Sequence, residues 1–162
     1  MCAGGTGRSE VGVRSTRRVV TGHDASGKAV VLFDGAASNV KLREASGLTS
    51  TLLWVTDESP AEISGTLDRA EREIGVAPPA DGTIFRIVDF PPTGAGLMHR
   101  TRSIDYAVVL EGEIDMLLED SVVHLRAGDV LVQRGTAHAW VNRGAANCRI
   151  AFVLLDAREI AA

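Results

Sequence analysis

The stretch that decides the fold is residues 96–142, and within it His99-Arg100-Thr101-Arg102-Ser103-Ile104-Asp105-Tyr106, which runs through Val108-Val109-Leu110 into Glu111-Gly112-Glu113. A second polar cluster follows: Gly128-Asp129, then Gln133-Arg134-Gly135, His138 and Asn142. Strand-like sequence separates the two. Paired in a small barrel, the clusters bring His99, Asp105 and His138 to one point. Two imidazoles and a carboxylate with open positions suit a first-row transition metal.

Outward from this stretch the chain reads as short β-type runs broken by turn signals. Residues 17–21 lead through the turn-rich Gly22-His23-Asp24-Ala25-Ser26-Gly27 into 28–33, a hairpin. Strands follow at 39–43, 48–56, 83–90, 104–110, 113–119, 122–126, 130–133, 139–143 and 148–155. Many short strands at near-regular spacing argue a sandwich or closed barrel. Residues 57–82 break the pattern: 66–74 predict a short helix ended by Gly75, and Pro78, Pro79 and Gly82 then force a loop. A connection of this length in a small β domain points to a flap over the barrel mouth, or to a surface excursion at a subunit contact. Residues 1–14 read as a flexible N-terminal tail, leaving 15–162 as a single domain.

Composition narrows the function. A chain of 162 residues is long enough for one domain with a real core. Seventeen Lys and Arg against twenty-one Asp and Glu, a net charge of −4, speak against nucleic-acid binding, which needs a basic patch. The two cysteines, Cys2 and Cys148, have no spacing that suggests a zinc knuckle. Neither a secretory h-region nor a membrane-length apolar run is present, so a cytoplasmic protein without a membrane partner is expected.

The two clusters resemble the paired motifs of the cupins, a family of small jelly-roll β-barrels. Gly112 closes an apolar strand, Asp105 stands where the family usually has glutamate, and His99 stands where the first histidine of its His-x-His pair stands. Gly128-Asp129, Gly135, His138 and Asn142 follow the second motif. The resemblance implies an all-β, single jelly-roll (double-stranded β-helix) barrel with a short helix in its long connecting loop. The chain departs from the family where the second histidine becomes Thr101, glutamate becomes Asp105, and the usual Pro-x-Gly turn becomes Arg134-Gly135.

The ligand set this implies is His99, Asp105 and His138, holding iron, manganese, zinc or nickel. Thr101, a poor metal ligand, can orient water or substrate. Arg100 can reach a substrate carboxylate at the rim, and Trp140 can wall the pocket. His23 and His124 read as surface residues. The expected function is a metal-dependent enzyme acting on a small organic molecule, by dioxygenase, isomerase, decarboxylase or lyase chemistry. Two alternatives stand beside it. One is a metal-free cyclase or dehydratase with His99 or His138 as proton shuttle; the other is a non-catalytic ligand-binding module. A homodimer is expected, with strand 17–21 or 28–33 extending a partner's sheet.

Overall fold

The computed structural model describes residues 14–92 and 96–159. The expected tail therefore lies outside the described residues, Arg14 excepted. Eleven strands form: β1 (Arg17–His23), β2 (Ala29–Ala36), β3 (Val40–Arg43), β4 (Leu48–Thr56), β5 (Thr83–Phe90), β6 (Ser103–Glu111), β7 (Glu113–Leu117), β8 (Val122–Arg126), β9 (Val130–Arg134), β10 (Ala139–Val141) and β11 (Cys148–Asp156). The fold is all-β. A six-stranded antiparallel sheet, β3-β4-β5-β11-β6-β9, faces a three-stranded sheet, β10-β7-β8, and β1-β2 forms a separate hairpin.

The core lies between the two main sheets. Alternation places Ala107 and Val109 of β6, Ile150, Phe152 and Leu154 of β11 and Ile84, Val88 and Phe90 of β5 inside, against Ile114 of β7 and Leu125 of β8. Ile84, Ile114 and Ile150 are fully buried, each contributing about 2 kcal/mol of hydrophobic stabilisation. With so few aromatic residues, branched aliphatics carry the packing.

Two motif glycines are required by the backbone. Gly112 has φ +72° between β6 and β7, and a Cβ there would meet the Asn147 carbonyl oxygen at 2.7 Å. Gly128, with φ +95°, turns the chain between β8 and β9.

The helix expected at 66–74 does not form; no α-helix occurs among the described residues. Tertiary partners claim the groups a helix would use. The Ala70 amide donates to its neighbour's side chain, Asp68 Oδ1, at 2.9 Å. The carbonyls of Ala70 and Arg72 accept from Asn39 Nδ2, both at 2.8 Å. Asp68 also takes both ends of the Arg18 guanidinium from the hairpin. Ala70 is buried in the core beside Leu52, Val55 and Ile84, and Ile74 packs on the same cluster. The long connection is thus a pinned, core-contributing segment between β4 and β5.

Candidate functional site

The two sequence clusters meet at one end of the barrel. His99 and His138 face each other across an isolated antiparallel bridge, with N–H···O bonds of 2.9 Å in both directions. Their rings stand 4.4 Å apart. His99 is exposed at the mouth, while His138 is buried behind it.

The partners of each Nδ1 govern what Nε2 presents. His99 Nδ1 lies 3.0 Å from the Leu97 carbonyl oxygen, which can only accept, so the neutral tautomer that makes this bond is the one that leaves a lone pair on Nε2. His138 Nδ1 lies 3.0 Å from the Thr136 carbonyl oxygen and 2.9 Å from Gln133 Nε2. Donation to Thr136 frees the Nε2 lone pair, whereas donation by Gln133 moves the proton to Nε2. Gln133 is buried and anchored, donating to Thr136 O at 2.9 Å and accepting from the Gly135 amide at 3.1 Å. Burial, with His99 nearby, pushes the His138 pKa down, so this imidazole is neutral at neutral pH.

Alternation puts Ser103 and Asp105 on one face of β6, and Thr101, just before the strand, is buried beside them. Ser103 Oγ donates to Asp105 Oδ1 at 2.5 Å, and Thr101 Oγ1 lies 3.0 Å from the same serine oxygen. Thr101 therefore ends a hydroxyl relay to the carboxylate. Burial raises the Asp105 pKa; the Ser103 bond and the charges of His138, His99 and Arg86 work the other way.

Among the described residues no group of three or more His, Cys, Asp or Glu side chains is set to hold a metal ion. His99 and His138 supply two donors of the right chemistry, and Asp105 has one oxygen engaged by Ser103. The donor set fits a transition metal in kind and is one ligand short in arrangement.

Trp140 is half-buried with Phe90 and Phe152 and meets the His138 ring edge-on at 5.8 Å, so it joins the apolar core to the site. Arg100 is exposed at the rim, where its Nε donates to the Gly135 carbonyl oxygen at 2.8 Å. Asn142 has a structural place: its Nδ2 donates to Phe90 O at 2.8 Å and Ala146 O at 2.9 Å, tying β10 to β5 and to the following turn. His124 lies far from the pair, exposed, with Nδ1 2.8 Å from Asp115 Oδ1.

Sequence reasoning missed Ser103, Gln133 and Arg86. Ser103 was legible as the middle member of the Thr101-x-Ser103-x-Asp105 alternation. Arg86 carried a subtler signal, a charge in phase with Ile84, Val88 and Phe90.

Comparison with known proteins agrees with this architecture. A family model described as cupin domain matches residues 86–154. Phomopsin biosynthesis cluster protein C' of Diaporthe leptostromiformis is 39% identical over 157 residues, covering 91% of this chain and 82% of that protein. The cupin-domain-containing oxidoreductase virC of Hypocrea virens is 34% identical over 155 residues, covering 92% and 80%. Among solved structures, the Cnp3 cupin domain of Schizosaccharomyces pombe superposes with a TM-score of 0.53 at 14% identity, over 86% of this chain and 87% of that one.

Proposed function

This chain belongs to the cupin family, and on that premise we propose that it is an enzyme acting on a small organic molecule at the barrel mouth, of the oxidoreductase kind for which several relatives are named. The observation that carries the proposal is the His99–His138 pair, fixed ring beside ring with each Nδ1 against a backbone carbonyl. Such outer contacts orient a histidine and aim its Nε2 at a metal or a reacting atom. The buried relay from Thr101 through Ser103 to Asp105 places a carboxyl with a raised pKa at the same end. A neutral imidazole and a carboxyl shifted toward neutrality are suited to moving a proton.

In the metal-dependent form of this reading, His99, His138 and Asp105 would hold a divalent transition metal: iron, manganese, zinc or nickel. Bound there, the metal supplies Lewis acidity and, if iron or manganese, a redox centre. A metal-free form is favoured by a specific observation, the Asp105 oxygen already committed to Ser103. In that form His99 and His138 are the proton shuttles. Elemental analysis of protein purified without added metal or chelator decides between them. About one metal per chain supports the first; no metal, with no thermal shift on adding iron, manganese, zinc, nickel or cobalt, overturns it.

A homodimer is also proposed. The outer face of the six-stranded sheet carries the row Phe85–Val153–Tyr106–Val132, and beside it Val108 and Val130. Tyr106 is 47%, Val132 58% and Val130 73% exposed. A flat apolar face of this kind on an all-β domain suits a self-complementary contact with a second copy. The strands named from the sequence for a partner's sheet pair with each other here, as β1 and β2.

No helix among the described residues is long and apolar enough to cross a membrane.

A further inference from the structure

Arg86 occupies a core position. It lies on β5 between Ile84 and Val88, in register with Leu52 of β4 and Phe152 of β11, and through Phe152 with Ala107 of β6. These neighbours all belong to the barrel core, so the side chain enters on the inner face. Asp105 is near enough to act on its charge, yet no ion pair forms with Arg86 among the described residues. Nη2 donates to the carbonyl oxygens of Gly75 at 2.8 Å and Val76 at 3.4 Å, while Nε is buried without a partner. Holding the 75–76 segment would need only a neutral donor. A half-buried guanidinium whose Nε–H is buried without a partner is a costly way to hold a loop.

The surface beside Thr101 and Ser103 has the same sign. A cleft of about 780 Å³ is lined by Thr101 and Ser103 of the relay and by Arg100, Arg102, Arg134 and Arg158, against one acid, Glu159. Of these arginines only Arg102 has an acidic partner among the described residues, Asp156 at 3.5 Å. In a chain of net charge −4, four arginines around one cleft are a local reversal of sign that attracts anions.

We propose that the substrate is an organic acid whose carboxylate is drawn in past the arginine-lined cleft and held by Arg86, leaving its other end at His99 and His138. The Nε–H that no protein group accepts can donate a charge-assisted hydrogen bond to a carboxylate oxygen. One interior cation matches a monoanionic carboxylate better than a phosphate dianion. The inference rests on the enzyme reading for the reacting end and adds the chemical class of the substrate. Arg86 is on this view a positioning and specificity residue.

The test uses full-length protein stripped of metal, titrated with benzoate against benzamide and hexanoate against hexanamide, by ligand-observed NMR. At least one carboxylate should bind about tenfold tighter than its amide, as a charge-assisted bond predicts. Arg86→Met should erase the preference, and Arg86→Lys should keep part of it. Should Arg86→Met fold poorly, the wild-type protein still gives an answer: the Arg86 Nε–H resonance should shift with the carboxylate and stay unmoved with the amide. A purely structural clasp predicts no shift and no preference, and either result overturns the proposal. Because metal is absent throughout, a chain that binds metal but shows no carboxylate preference sinks this inference alone. A chain that prefers carboxylates but never binds metal sinks only the metal-dependent form.

Discussion

The main chains of His99 and His138 are bonded to each other twice, at 2.9 Å in each direction, so the pair is set by backbone and its imidazoles are free to do chemistry. Either ring can be removed without breaking the bridge. Substitution at these positions therefore reads function more than folding.

The first expectation concerns metal. If the metal-dependent form holds, His138→Ala should abolish binding, because only three protein donors are available and two compete poorly with water. Metal content of the wild type and variant, measured side by side, checks this. Equal content in both would place the metal elsewhere.

Thr101 is buried just before β6 and is linked to Asp105 through Ser103. Thr101→His should add a donor there and tighten metal binding, read by chelator competition. Thr101→Val, similar in shape but without the hydroxyl, should remove the outer end of the relay to Asp105 and lower turnover while the protein stays folded. Unchanged metal affinity in the first variant and unchanged turnover in the second would show that Thr101 plays no part in the site.

A third expectation concerns pH. The folded chain resists protonation of His138 relative to the ordinary value of 6.5, because the ring is buried beside His99. The unfolded chain binds that proton more readily, so this group's contribution to stability is present above pH 6.5 and is lost as pH falls through the folded value. His138→Asn removes the effect. Wild type should lose stability relative to the variant between pH 7 and pH 5 in urea titrations; parallel curves would refute it. Asp105 runs the opposite way, its raised pKa favouring the fold below 3.8 and losing that advantage as pH rises through the folded value.

The connection between β4 and β5 should behave as packed structure. Arg18 and Asp68 are shielded, at 12% and 10% side-chain exposure, and Arg18 also donates to Leu53 O at 3.1 Å. Asp68→Ala strands the guanidinium and should cost about 3 kcal/mol. Amides near Ala70 should exchange slowly without ligand. Fast exchange there, with little loss of stability in the variant, would restore the flap expected from the sequence.

For assembly, light scattering should give a dimer. Val132→Lys on the outer face should shift it to monomer by burying an unpaired charge in the contact. A monomeric wild type at micromolar concentration would refute the outer-face dimer, and a variant that remains dimeric would move the interface to another surface.

The sequence alone determined the strands and where they turn. Period-two alternation and glycine punctuation placed nearly every strand within a residue or two of its position, including β8 at Val122–Arg126. Both signals are local, written into adjacent residues by the pleat and by permitted φ. The spacing of the two motifs likewise anticipated that His99 and His138 meet, and their rings stand 4.4 Å apart. Tertiary structure alone decided the rest. Residues 66–74 have a helical pattern, yet Arg18, Asn39 and the core around Val55 outbid the i→i−4 bonds of so short a segment. Asp105 reads as a ligand in sequence, and only folding revealed Ser103 on its carboxylate. Arg86 becomes an interior cation only when β5 and β11 pair and set it beside Phe152. Such relationships join residues far apart in the chain, where no local period records them.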